Sequence, residues 1–448
     1  MRSIILILAV LGSALNVGAQ TKELTFTNAV EIGLSDNVVM KNTRNNLRSF
    51  KTDKNFQTLA FTPNLGVTGG LSQTSGPQVD PEKGLINATT SNFRTSIGSN
   101  LMLYNGHSRI NALKASSYRL DGQELLVKRT EQDIINLVAL QFLQVLLDQE
   151  LLKISEENLL TQERTLAEIS GFVVVGSRPE VDKYRQEADV KRFELLVIQA
   201  KNTLTNDKAS LAQTLQLDPS NDFVVVRPDW NIDLIRVMEY NLDELYSTAL
   251  NARADYQRLE TEENARRHDY KGSFNGYVPN LSAFASYGST YFNDNDSNTP
   301  TDDFAVQMSN RRSASYGLNV TIPLWNRLRN RNNRVFNKVN YENAVNDVEN
   351  LEKTVKIEVQ IAYNNFIDVN AGYSVSLAQY EAAKLAYETQ QESYNVGLAT
   401  QVELAIASQS YIGAQASLAQ TGYRLLFQKI LLDYATGVLT PEGIISNQ

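Results

Sequence analysis

The chain has 448 residues, a formal net charge of −8, no cysteine and two histidines. The missing cysteines exclude disulfides, thiolate catalysis and acylation of an N-terminal cysteine. The acidic balance, with no basic block larger than Arg327 to Arg334, excludes a nucleic-acid binder, which needs a positive surface to displace counterions.

Residues 1–19 read as a cleaved signal peptide. Arg2 gives a positive start, Ile4 to Leu15 an apolar core, and Val17-Gly18-Ala19 a small-residue cleavage pattern. Its apolar run is too short to span a bilayer as a helix, and no later stretch of about twenty consecutive apolar residues exists. The mature chain is therefore expected to carry no transmembrane helix.

The remainder reads as two similar halves. Thr27 to Leu34 (TNAVEIGL) opens a charged helical run that ends before Pro63-Asn64-Leu65. At an offset of 216, Asp243 to Leu250 (DELYSTAL) opens another, ending before Pro279-Asn280-Leu281. Leu103-Tyr104-Asn105 matches Leu324-Trp325-Asn326, and Val175-Gly176 matches Val396-Gly397, both at an offset of 221. The first repeat is assigned to 20–224, an inter-repeat segment to 225–241, the second repeat to 242–439 and a tail to 440–448.

Each repeat reads helix, strand, loop, strand, long helix, break, long helix. Period-two alternation marks strands over 63–75, 93–105, 279–292 and 314–326. Val67 and Leu71, Phe93 and Ile97, Ala283 and Tyr287, and Leu318 and Val320 fall on the apolar side. Strands of about ten residues suit a tilted crossing of a bilayer. The polar stretches Gln73 to Asn92 and Asn293 to Arg312 read as surface loops. Tyr104 and Trp325, at strand ends, are placed at the membrane interface.

Four strands cannot close a membrane barrel, and open edges are not tolerated in lipid. Several chains must contribute, and three would give twelve strands. Long helices are predicted over 107–171, 179–217, 327–395 and 399–437. The third holds Val355, Val359, Ala362, Phe366 and Val369 on one face, and a helix of about seventy residues is on the order of 100 Å long. In Ile134 to Ile154 the apolar residues cover two adjacent stripes, as in a wall of helices.

Leu24-Thr25-Phe26-Thr27-Asn28-Ala29-Val30, the twice-used Pro-Asn-Leu, Leu324-Trp325-Asn326 and Tyr394-Asn395-Val396-Gly397-Leu398-Ala399-Thr400 occur in an order that resembles the TolC-like outer-membrane efflux proteins, over essentially the whole mature chain. The resemblance implies a mostly α fold with a membrane β-barrel. Three chains would share a twelve-stranded barrel above an α-helical periplasmic tunnel in the bacterial outer membrane. It also implies a periplasmic adaptor and an inner-membrane pump as partners. By that resemblance the periplasmic constriction falls on Glu403, Asp182 and Tyr394, and the adaptor-contacting turns on Gly176 and Gly397. A second acidic ring is not reproduced, because Ile406 stands there. Ala399 occupies the place of a clasp arginine, for which Arg178 is a candidate substitute.

Neither His107 nor His268 sits in a metal-ligand spacing, and no phosphate loop or nucleophile elbow occurs. No enzyme, cofactor or metal is expected. The leading expectation is an efflux duct in contact with outer-membrane lipid. A duct for type I protein secretion and a periplasmic coiled-coil scaffold or adaptor are the alternatives.

Overall fold

The computed structural model describes residues 22–80, 84–218, 223–228, 232–236, 239–294 and 302–440. The signal segment and nearly all of the tail lie outside the described residues. In chain order the elements are β1 (Lys22–Leu24), α1 (Phe26–Asp36), α2 (Val38–Leu59), β2 (Gly66–Asp80) and β3 (Gly84–Tyr104). The long helices α3 (Ser108–Val174) and α4 (Glu180–Leu215) follow, then β4 (Phe223–Val225) and α5 (Ile232–Arg236). The second half contains α6 (Leu242–Ala252), α7 (Ala254–Gly272), a 3-10 turn (Ser273–Tyr277) and β5 (Asn280–Asp294). It closes with α8 (Phe304–Asn310), β6 (Ser313–Thr321), α9 (Arg329–Asn395) and α10 (Gln401–Thr436).

Three pairs of corresponding helices have equal lengths. α3 and α9 each have 67 residues, α4 and α10 each have 36, and α1 and α6 each have 11. α4 and α10 end alike: Gln216 at φ 55° and Gly437 at φ 75° both take the left-handed conformation that stops a helix. α1 and α6 begin alike, the side chains of Thr25 and Asn241 accepting hydrogen bonds from the first-turn amides of Asn28 and Asp243.

The chain divides into two compact units. The first comprises 1–45, 125–257 and 350–448. Its core draws Phe26 from α1, Val138 and Phe142 from α3, Leu211 from α4, Val355 and Phe366 from α9, and Leu425 from α10. Phe26 meets Phe142 edge-on, ring centroids 5.3 Å apart. The two apolar stripes of α3 are both used, since Ile134, Ile135, Val138, Ala139, Phe142 and Leu143 are all buried. α3 does contain a window long and apolar enough to cross a membrane, but half of it is buried in the protein, so packing explains it. Arg253, between α6 and α7, is 2% exposed and ties the unit together. It donates to Asp255 at 2.6 and 3.0 Å, to Glu358 on α9 at 2.6 Å and to the Ala435 carbonyl on α10 at 3.2 Å.

The second unit comprises 46–124 and 258–349 and holds a four-stranded antiparallel sheet in the order β2-β3-β5-β6. Its register aligns the apolar positions across the strands: Val67 pairs with Ile97, Leu71 with Phe93, Phe93 with Tyr291, Ile97 with Tyr287, and Ala283 with Leu318. One face is thus continuous and apolar, yet Val67, Leu71, Tyr316 and Leu318 are between 66% and 85% exposed. The edges, β2 and β6, have no further strand beside them among the described residues.

The structure departs from three sequence expectations. Gln73 to Asn92 is a hairpin rather than a loop, paired continuously from Gln73–Ser91 to Asp80–Gly84. Polar residues on both faces hid the strands, and Pro77, which lacks an amide donor, is tolerated because β2 is an edge. In Asn293 to Arg312 the described part contains α8, whose Phe304 ring lies 5.7 Å from Phe93 and 5.1 Å from Tyr291. Gln307 on α8 accepts from the Phe292 amide at 3.1 Å and donates to the Phe292 carbonyl at 3.0 Å. It satisfies the edge of β5 where β6 has ended, since β6 pairs only as far as Gly288. β6 also stops at Thr321, short of the expected 326, before Pro323 and the left-handed pair Arg327 and Leu328.

Candidate functional site

The two turns between long helices, α3–α4 and α9–α10, belong to the first unit and are built alike. The Gly176 amide donates to Val173 at 3.0 Å and Ser177 to Phe172 at 2.9 Å. The Gly397 amide donates to Tyr394 at 3.1 Å and Leu398 to Ser393 at 2.8 Å. Both are Schellman closures of a helix C-terminus, with Gly176 at φ 72° and Gly397 at φ 82°. An added Cβ would touch nothing within 4 Å at either, so backbone conformation and not space calls for glycine. The tips expose apolar side chains: Val174 is 86% exposed, Val175 74%, Val396 70% and Leu398 85%.

Tyr394 is buried beside these turns, packed with Ile169, Ala399 and Leu404. Arg178, from the α3–α4 turn, lays its guanidinium over the Tyr394 ring at 4.4 Å and donates to the Tyr394 carbonyl at 2.9 Å. Burial, with the Asp182 charge adding to it and Arg178 opposing, pushes the Tyr394 phenol above its ordinary range. Its hydroxyl is buried without a hydrogen-bond partner among the described residues. Asp182 sits in the first turn of α4, where the helix dipole favours an acid. Ala399, where the resemblance expects an arginine, is buried in the apolar cluster.

Glu403 has a local role. It is the third residue of α10 and completes a capping box with Thr400: its carboxylate accepts from the Thr400 amide at 2.8 Å and hydroxyl at 2.9 Å, and its own amide donates back to the Thr400 hydroxyl at 3.3 Å. These bonds hold its pKa below the usual glutamate value. Ile406, one turn on, is 63% exposed.

A buried amide chain next to the turns escapes sequence reading. Gln186 on α4 donates to Gln162 on α3 at 2.9 Å, and Gln401 on α10 donates to Gln186 at 3.2 Å. All three are under 9% exposed. Glutamine on a long helix reads as a solvated residue, and only its interruption of an apolar stripe could have signalled this. Asp148 on α3 also escaped. It is 4% exposed, accepts from Gln144 at 3.0 Å and faces Asp207 on α4. Burial first, and the Asp207 carboxyl second, push it up to about 7. Among the described residues, no group of three or more acids and histidines is arranged to hold a metal.

In the second unit, Tyr104 is 41% exposed with its ring edge-on to His107 at 5.6 Å, and Trp325 is 76% exposed.

Two helices of 67 residues, each about 100 Å long, and an antiparallel sheet with an exposed apolar face are features of outer-membrane channel proteins with helical extensions. The chain matches the family model described as outer membrane efflux protein over residues 34–215 and 245–438, and it belongs to that family. It is 23% identical over 396 residues to outer membrane protein TolC of Vibrio cholerae serotype O1, covering 86% of this chain and 84% of that one. Its fold is similar to that of VceC from Vibrio cholerae, with a TM-score of 0.80 at 13% identity over 92% of this chain and 96% of that one. It is likewise similar to the CmeC outer membrane channel of Campylobacter jejuni, with a TM-score of 0.78 at 15% identity over 94% and 88%. The chain is thus a mostly α, TolC-like channel protein of the outer membrane that extends into the periplasm.

Proposed function

We propose that three copies of this chain form the exit duct of a tripartite efflux system. The observation that carries this is the sheet: four strands with two edges unpaired among the described residues and one continuous, exposed apolar face. Lipid removes the cost of the apolar face but makes the open edges untenable, so β6 of one copy pairs with β2 of the next until the barrel closes. Three copies supply twelve strands around a lumen, and the polar opposite face, with Thr68, Ser96, Asn100 and Asn319, lines it.

The sequence has no nucleotide-binding loop, so the energy is assigned to an inner-membrane transporter. The exposed apolar tips around Gly176 and Gly397 suit docking of a periplasmic adaptor. In this reading the constriction lies beside them, with Arg178 and Tyr394 joining the two turns, Asp182 in the first turn of α4, and Glu403 adding one negative charge per copy. A ring of such charges favours cations.

Deleting the gene tests the cargo class. Increased accumulation of dyes, antibiotics or metals supports efflux. Unchanged sensitivity with an exported protein trapped in the cell transfers the duct to type I secretion. A periplasmic scaffold has no use for a lipid-facing sheet, and recovery in the soluble periplasm would be needed to restore that reading.

A further inference from the structure

Around the strand–helix junctions of the second unit the charge balance departs from that of the chain. The whole chain is acidic, yet 54–79, 84–120, 270–293 and 304–341 contain no Asp or Glu. The last of these is the most basic. Arg327, Arg329 and Arg331 fall within five residues, at the start of α9 and directly after the exposed Leu324 and Trp325.

Local structure does not account for these three arginines. They are exposed, and among the described residues none makes an ion pair or a side-chain hydrogen bond. Arg334, by contrast, stacks on Tyr270 at 4.7 Å and donates to its hydroxyl at 3.1 Å. The first turn of a helix disfavours cations, and no acid offsets them there. Leu324, Trp325 and Leu328 beside them are 90%, 76% and 55% exposed, which water does not favour either. The matching place in the first half also lacks an acid and has Tyr104 at the position of Trp325, but the three arginines are particular to the second half.

Cations interleaved with aromatic and aliphatic side chains, at the end of a lipid-facing strand, match the headgroup layer of a bilayer. The aliphatic and indole groups enter the acyl boundary while guanidiniums bind phosphate through paired N–H donors. We propose that Arg327, Arg329 and Arg331 form a binding site for anionic glycerophospholipid on the helix side of the membrane, with Trp325 and Leu328 as its apolar floor. The site follows the end of β6 at Thr321 within a few residues of chain, and it rests on the membrane placement of that sheet.

The test uses full-length protein carrying Trp230→Phe, which leaves Trp325 as the only tryptophan. It is reconstituted in phosphatidylcholine vesicles in which an equal fraction of either brominated phosphatidylglycerol or brominated phosphatidylcholine is the quencher. Trp325 fluorescence is expected to be quenched about five-fold more effectively by the anionic lipid, a preference of the size one or more surface cations provide. In the Arg327→Gln/Arg329→Gln/Arg331→Gln variant both lipids are expected to quench equally, and the corresponding triple lysine variant is expected to keep most of the preference. Equal quenching in the arginine protein, or an undiminished preference in the glutamine variant, overturns the site. Absence of quenching by either lipid instead removes Trp325 from the membrane and, with it, the placement on which the site depends.

Discussion

Arg178 lies flat on Tyr394, its guanidinium carbon 4.4 Å from the ring centre, and also donates to the Tyr394 carbonyl at 2.9 Å. One residue from the first-repeat turn therefore holds both the ring and the backbone of the second-repeat turn. The contact spans 216 positions of sequence.

Arg178→Ala removes a cation–π contact and a charge-assisted hydrogen bond, together on the order of 1–2 kcal/mol at a half-buried site. The turns are expected to separate more readily, so single-channel recordings in a planar bilayer should show more frequent or larger openings. Arg178→Lys, which lacks the planar stacking surface, is expected to fall between the two. Wild-type gating in Arg178→Ala would separate this contact from the closed state.

Glu403 combines a helix cap with a candidate ring charge, and two substitutions separate them. Glu403→Gln keeps an acceptor for the Thr400 amide, so stability is expected to hold while cation preference in a bilayer falls. Identical selectivity would take Glu403 out of the constriction. Thr400→Ala is expected to cost about 1 kcal/mol of helix stability with little effect on selectivity. Because the folded pKa of Glu403 lies below its ordinary value, the cap is complete above that ordinary value and is lost as pH falls through the lowered one.

Asp148 has the opposite sign. Its folded pKa is pushed up to about 7, so the folded protein holds a proton that the unfolded chain releases near pH 4. Stability at this site is expected to fall as pH rises from about 4 to about 7. Asp148→Asn keeps a partner for Gln144 and removes the charge facing Asp207. Its thermal midpoint should exceed wild type at pH 8, by an effect on the order of 1 kcal/mol after solvent screening, and coincide with it at pH 4. A wild-type pH profile in the variant would contradict the pairing of Asp148 with Asp207.

Arg253 is buried between two carboxylates and a helix-terminal carbonyl. Arg253→Met leaves Asp255 and Glu358 without their shared cation, and a loss of about 3–5 kcal/mol is expected in chemical denaturation. Adding Glu358→Gln should recover part of it, and a full-strength Arg253→Met protein would make the network dispensable. Gly437→Ala is expected to be damaging as well, since a Cβ there would stand 2.8 Å from the Arg253 Cγ and 2.9 Å from its Cα, at φ 75°.

The helices and their turns were legible because long periodic runs punctuated by Gly176 and Gly397 leave little choice. The strands were legible where alternation is clean, as at Val67 to Leu71 and Tyr316 to Val320. It failed where both faces are polar, as in Ser75 to Asp80, and at Ile322 to Asn326, where Pro323 and the left-handed Arg327 matter more than alternation. The site was legible only in part. Tyr394 and Arg178 were singled out and do meet, but Gln162, Gln186, Gln401, Asp148 and Arg253 become notable only when helices distant in sequence bury them. Polar residues of that kind carry no local signal. The identity of their neighbours, and not their own spacing, determines what they do.

The central claim is that one chain supplies a third of a closed barrel. The mass of the full-length protein, extracted from outer membranes in mild detergent and measured by light scattering with the detergent contribution subtracted, tests it directly. A particle of three protomers, about 145 kDa once the signal segment of about 2 kDa is removed from each 50.1 kDa chain, is the expected result. A monomer in detergent, or recovery in the soluble periplasm, would contradict it, because the open edges of β2 and β6 would then have no partner.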